Sequence, residues 1–280
     1  MHIGLIIIGD EILSGKRADK HFPKVVELLQ ARNLSLSWAR YAGDDRHRIT
    51  ADLRDAFAAA RDGAVIFSCG GIGATPDDHT RQCAAAALDR QLVLHPQARE
   101  LIIERMREVA AEQGKPFEAE RPDNLHRLNM GVFPEGAEII PNPYNRIPGF
   151  AIRFAAAAPD QPLGGGVFFL PGFPVMAWPM IEWVLDHHYA AAAGGPRSIE
   201  KSVIVFGAME AALTPLMEAI ELQYAGIKVF SLPSVDHPQW GRHIEMGVKG
   251  TAQPLLEQAF GALLQGLRLH GAELGPELVR

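Results

Sequence analysis

Residues 3–8, Ile-Gly-Leu-Ile-Ile-Ile, form an apolar run that stops at Gly9-Asp10, and no other feature restricts the fold as much. A strand that is apolar on both faces has neither face to give to water, so it belongs inside a parallel sheet covered by helices on each side. The next segments repeat this plan. Phe22, Val25, Val26 and Leu29 recur at helical spacing, and Leu34, Leu36 and Trp38 alternate as in a strand. Ile49, Leu53, Ala56 and Phe57 then mark a helix face before the apolar strand Ala64 to Phe67.

Further helices are predicted over Thr80 to Leu88, Pro96 to Glu112 and Pro122 to Met130, and one carries Met176, Met180 and Val184 on one side. Glu138 to Phe154 contains three prolines in PNPYNRIPGF and reads as an irregular loop running into a strand at Ala151 to Phe154. Val167 to Leu170 is another buried strand. Residues 1–190 are therefore expected to form an α/β domain with a doubly wound, mostly parallel sheet, whose ligands sit beyond the carboxyl ends of the strands. Ala190 to Pro196, AAAAGGP, reads as a linker. Residues 198–280 then read β, α, β, β, α, the order of a small α+β ferredoxin-like domain.

Composition excludes several classes. The formal net charge of -6 argues against a general nucleic-acid binder. No stretch approaches the roughly 20 apolar residues that span a bilayer, so no membrane partner is expected. The opening run lacks a basic flank and reads as a buried strand, not a signal peptide. Cys69 and Cys83 are too few for a disulfide framework and fit a reducing, cytoplasmic setting as small core residues.

Three loops carry the chemistry. GGIGATPDDHT, Gly70 to Thr80, lies between a buried strand and a helix; Gly70, Gly71 and Gly73 let backbone amides approach an anion, and the helix start adds a favourable dipole. GDEILSG, Gly9 to Gly15, and GDD, Gly43 to Asp45, also come directly after strands. All three leave the same edge of one sheet, so Asp10, Asp44 and Asp78 can converge, and gathered carboxylates hold hard divalent cations. The structural alternative is that the glycine loop only connects two elements while Asp10, Asp44, Asp45 and Asp78 cap helices or solvate loops. His79, beside Asp78, is a candidate proton shuttle or a solvent-facing side chain, and Lys16 and Arg17 either meet phosphate or form a solvated pair.

GDEILSG, the GDD loop, GGIGATPDDHT, NPYNRIPGF and LPGFP, in this order, resemble the N-terminal region of the competence/damage-inducible protein A (CinA-type) family, whose first domain is similar to molybdopterin-binding (MoaB/Mog-like) proteins. The resemblance implies a phosphoanhydride chemistry beside a divalent metal (Mg²⁺, Mn²⁺ or Co²⁺). It takes the form of adenylylation of a pterin in the molybdopterin relatives and of ADP-ribose hydrolysis in the CinA-type family. It implies Asp44 and Asp78 as catalytic acids and Asp10, Asp44 and Asp78 as metal ligands. Gly9, Ser14, Gly70, Gly71, Gly73, Thr75, Pro171 and Gly172 would lie against an adenine nucleotide or pterin phosphate. A homo-oligomer is also expected. The alternative is a regulatory protein that binds the same ligand without turnover.

Three departures from the family pattern stand out. Lys20 and His21 lie where an asparagine is common, Ala74 replaces a frequent proline, and Met176-Ala177 replaces a Glu-Met pair. Tyr144, Asn145 and Arg146 replace a smaller segment, where they would shape ligand choice. The nicotinamide-mononucleotide deamidase domain of longer relatives does not occur within these 280 residues, so deamidation is not expected of this chain.

Overall fold

In the computed structural model, which describes residues 1–155, 164–195 and 198–279, strand β1 (Ile3–Ile8) is buried at every position. Alternate residues explain why. Ile6 and Ile8 enter one apolar cluster with Leu53, Phe57 and Phe169, while Ile3, Leu5 and Ile7 enter a second with Val25, Leu29 and Met180.

Along the chain β1 is followed by α1 (Asp10–Leu13), α2 (His21–Gln30), β2 (Trp38–Ala42), α3 (Arg46–Arg61), β3 (Val65–Cys69) and α4 (Thr80–Leu88). Then come β4 (Leu92–Leu94), α5 (Pro96–Glu112), α6 (Pro122–Arg127), β5 (Val132–Pro134), β6 (Glu138–Ile140), β7 (Gly149–Arg153), β8 (Gly166–Leu170) and α7 (Pro174–His188). The main sheet has the order β2-β1-β3-β8-β7-β6. β2, β1, β3 and β8 are parallel, and β7 and β6 are antiparallel additions. This is the doubly wound, mostly parallel α/β sheet that the sequence predicts.

Several boundaries differ from expectation. The second strand begins at Trp38 instead of ending there, because its register is set by pairing Trp38 to Gly4 and Ala42 to Ile8. A side chain at Gly4 would collide with the Trp38 indole, so that glycine makes room for the ring. Glu138 to Ile140 is a strand instead of part of a loop, and it pairs with β7 across PNPYNRIP. The helix expected to reach Met130 ends at Arg127 and continues as a 3₁₀ turn over Leu128–Gly131. The two-stranded ribbon of β4 and β5 has no counterpart in the sequence pattern, since it is too short to show alternation.

Contacts divide the chain into Met1–Ala193 and Gly194–Arg280. Pro196, the last residue of the expected linker, and Arg280 lie outside the described residues. The second unit contains β9 (Ile199–Phe206), α8 (Glu210–Gln223), β10 (Lys228–His237), β11 (Gly241–Gly250), α9 (Gln253–Leu269) and β12 (Glu273–Val279). Its sheet order, β10-β11-β9-β12, is antiparallel throughout and matches a ferredoxin-like sandwich. β12 is an addition to the βαββα order expected from sequence. Gly275 and Pro276 interrupt that strand's pattern, and its pairing with β9 shifts register between Leu274 and Glu277. Among the described residues no helix is long and apolar enough to cross a membrane.

The α/β core also holds an aromatic stack. Phe150 lies between Phe133 and Phe169, with ring centroids 4.6 and 4.3 Å away, and all three are fully buried. Phe150→Ala is expected to destabilise the protein by about 3–5 kcal/mol through the cavity it leaves. Urea unfolding followed by circular dichroism measures this, and a loss under about 1 kcal/mol would mean that the neighbours collapse into the gap.

Candidate phosphate-binding site

β1 is followed by a crossover to β2 on one side of it, and β3 then pairs on its other side, so a crevice opens at the carboxyl ends of β1 and β3. The loops after β1, β3 and β8 meet there. Gly70 has φ 109° and Gly71 φ 68°, backbone that favours glycine. A side chain at Gly70 would strike the Ile8 carbonyl, one at Gly71 the Thr80 hydroxyl, and one at Gly73 would come within 2.5 Å of Asp78 Oδ2. Gly172 lies against Gly70, its missing Cβ falling 3.5 Å from the Gly70 Cα.

The loop carbonyls are held from one side. Thr80 donates its hydroxyl to Gly70 O at 3.0 Å and its amide to Gly71 O at 3.0 Å. Arg81 Nη2 donates to Gly73 O, and His126 Nε2 lies 2.9 Å from Ala74 O. By contrast, among the described residues the amides of Gly71, Ile72, Gly73 and Ala74 have no protein acceptor. Consecutive unpartnered amides in a turn at the start of a helix form an anion-binding concavity. Asp78 closes the turn, its Oδ2 accepting from Thr75 N at 2.8 Å and Thr75 Oγ1 at 2.6 Å.

Asp10 and Asp44 interlock. Asp10 N donates to Asp44 Oδ2 at 2.9 Å, and Asp44 N donates to Asp10 Oδ1 at 3.1 Å. The other oxygen of each has no protein donor among the described residues. Burial pushes the Asp44 carboxyl above its usual range, and the charges of Asp10, Glu11 and Asp77 push the same way, against a lowering by the Asp10 amide. The loop acid felt by Asp44 is thus Asp77, not Asp78, whose carboxylate is turned into its own loop. Among the described residues no three His, Cys, Asp or Glu side chains are grouped to hold a metal ion. Asp45 caps α3 by accepting from Arg48 N at 2.7 Å, as the structural alternative for that acid holds.

The remaining expected residues lie around this centre. Gly9 starts α1, its amide donating to Ala42 O at 3.0 Å, and Ser14 ends it, donating its amide to Asp10 O at 2.8 Å. Arg17 pairs with Glu11 at 3.8 Å. Thr75 is exposed. Pro171 and Gly172 link β8 to α7; Met176 and Ala177 lie in the first turns of α7, with Ala177 fully buried. Asn145 Nδ2 reaches Met176 Sδ at 3.7 Å. Burial pushes the Cys69 and Cys83 thiols up, consistent with unreactive core cysteines.

The family described as the probable molybdopterin binding domain matches residues 4–191. The chain belongs to that family. Over 233 residues it is 30% identical to a CinA-like protein of Syntrophotalea carbinolica, covering 80% of this chain and 51% of that one. Over 189 residues it is 33% identical to a CinA-like protein of Anaeromyxobacter sp. (strain K), covering 67% of this chain and 41% of that one. The chain thus spans about half the length of the curated relatives it matches. The crystal structure of the CinA protein from Thermoplasma acidophilum superposes with a TM-score of 0.52 at 22% identity, over 67% of this chain and 98% of that one, which shows the shared fold.

Three residues of this family member's site carry no signal of function in the sequence. Arg81 reads as a helix residue, His126 lies far along the chain, and His21 stands out only as a departure from the family pattern. His21 is 4% exposed and lines a cavity of about 330 Å³ with Ile7, Glu11, Arg17, Cys69 and Gly172. Its Nε2 lies 3.1 Å from Gly172 O, and among the described residues its Nδ1 has no partner. Burial lowers its pKa from 6.5, outweighing the Gly172 carbonyl and Asp19.

This makes stability depend on pH. At pH values above 6.5 both folded and unfolded His21 are neutral; as pH falls below that value the unfolded chain takes up the proton first, and stability is lost. The parent's melting temperature is expected to fall more than that of His21→Asn between about pH 7.5 and pH 5. Parallel melting curves of the two proteins would mean that His21 takes up no proton on unfolding.

Proposed function

We propose that the crevice binds a phosphate-bearing small molecule, an adenine nucleotide or a pterin phosphate, and cleaves or transfers at a phosphoanhydride such as that of ADP-ribose with a divalent cation. The observation that carries this reading is the run of unpartnered amides at Gly71–Ala74 beside the interlocked pair Asp10 and Asp44. One surface offers N–H donors for phosphate oxygens. Its neighbour concentrates negative charge, with one oxygen of each carboxylate lacking a donor among the described residues. Mg²⁺ is commonly held by one or two carboxylates plus substrate phosphates and water, so this pair fits such an ion without a third acid. Asp10 and Asp44 would hold it, and it would supply charge neutralisation at the phosphoanhydride. The family description, a probable molybdopterin binding domain, supports a pterin ligand.

Asp78 has a different part here from a metal ligand: it holds the glycine loop closed through Thr75. That, together with the half-buried Met176 where an acid is otherwise expected, favours a second reading, in which the chain binds the ligand and does not turn it over.

Purified protein incubated with ADP-ribose or ATP and Mg²⁺, Mn²⁺ or Co²⁺ separates the two. Turnover is expected to depend on the metal and to fall by roughly 10²–10⁴-fold in Asp44→Asn, at little change in melting temperature. Asp78→Asn is expected instead to lower the melting temperature and weaken nucleotide binding while metal binding persists. Saturable binding without product supports the second reading; neither product nor binding in the parent overturns both.

A further inference from the structure

Behind the glycine loop lies a cavity of about 340 Å³ whose walls include Arg46, Thr75, Asp78, Arg81, His126 and Asn129. Arg81 is 4% exposed, and among the described residues its Nε has no partner. Burial lowers its pKa, and the charge of Asp78 only partly opposes this. Among the described residues no carboxylate lies within ion-pair distance of it. Taking a guanidinium out of water without an ion partner is costly, and its one hydrogen bond to the loop offsets only part of that cost.

That bond goes to Gly73 O. The peptide group joining Gly73 and Ala74 is planar and trans, so its carbonyl and its N–H point in opposite directions. Arg81 on the oxygen therefore turns the Ala74 N–H away from Arg81, where it meets no protein acceptor. The next peptide is set in the same manner. His126 Nε2 lies 2.9 Å from Ala74 O, which turns the Thr75 N–H the other way, into Asp78 Oδ2 at 2.8 Å. Asn129 Nδ2 lies 3.4 Å from His126 Nδ1; donation to Nδ1 leaves the ring proton on Nε2, the tautomer that the Ala74 carbonyl needs.

We propose that the Ala74 amide is an additional phosphate donor in this loop, with Arg81 as the positioning residue that directs it and His126 fixing the peptide that follows it. The proposal rests on the phosphate-site reading above and extends it. It is a property of this chain's own residue, since a proline at position 74 has no N–H to offer. The ligand group concerned is a phosphate monoester or pyrophosphate, whose oxygens accept from Gly71 to Ala74 together.

The probes are AMP and inorganic pyrophosphate, titrated calorimetrically in EDTA into the parent, Ala74→Pro, His126→Ala and His126→Gln. Ala74→Pro removes the donor and keeps the carbonyl; Kd for both probes is expected to rise about tenfold, the effect of one lost hydrogen bond to a charged acceptor. His126→Ala is expected to raise Kd about threefold, as the loss of a neutral, exposed hydrogen bond does. His126→Gln, whose amide places an N–H where the ring had one, is expected to bind like the parent. Mn²⁺ affinity without nucleotide stays at the parent value in every variant. Parent-like binding by Ala74→Pro, or a His126→Gln as weak as His126→Ala, overturns the proposal. Should Ala74→Pro fail to fold, the Ala74 amide resonance of the isotope-labelled parent decides: a shift on adding pyrophosphate supports the proposal, and an unmoved resonance overturns it. Absence of probe binding in the parent sinks the phosphate-site reading along with this one, whereas binding that no substitution alters sinks this one alone.

Discussion

The close approach of Gly70 to the last carbonyl of β1 is the constraint on which the site depends. Where any side chain would overlap Ile8 O, the loop after β3 can lie flat across the mouth of its neighbour. That contact brings a backbone rich in unpartnered amides beside the acids that come after β1 and β2. The sheet supplies the rest: parallel pairing of β1 with both β2 and β3 puts all their carboxyl ends on one edge, and covering both faces leaves that edge as the opening for a ligand.

Opposite charges are set side by side on this edge. Amides and the α4 terminus favour an anion, while the charges of Asp10, Glu11, Asp44 and Asp77 disfavour one. For an anion at this edge the two halves act in opposite directions. The interlocked amide bonds of Asp10 and Asp44 keep the acids in place despite their mutual repulsion, so the arrangement is held by backbone geometry and not by charge balance.

Much of this is legible in the residues. Ile3 to Ile8 can only be a buried parallel strand, and the glycines of GGIG each sit where the structure leaves no room for a Cβ. Other features leave no local trace. β2 begins later than its apolar alternation suggests, since an edge strand takes its limits from its partner. β12 contains Gly275 and Pro276, which speak against a strand until β9 pairs around them. The two neighbouring acids of PDD cannot be told apart by spacing: Asp78 turns back to Thr75, and Asp77 is the one that Asp44 feels. His126 is invisible because a long-range hydrogen bond to a loop carbonyl has no sequence pattern.

The grip of His126 on the Ala74 carbonyl bears on how such loops travel between proteins. Part of what shapes GGIGATPDDHT is carried by a short helix reached only after an excursion through β4 and α5. A scaffold given the eleven-residue motif alone would inherit its glycines, its acids and Thr80 but not the hold of Arg81 and His126 on the Gly73 and Ala74 carbonyls. The motif is therefore less a portable cassette than one surface of a two-part mould, and the two parts must change together for the loop to keep its shape.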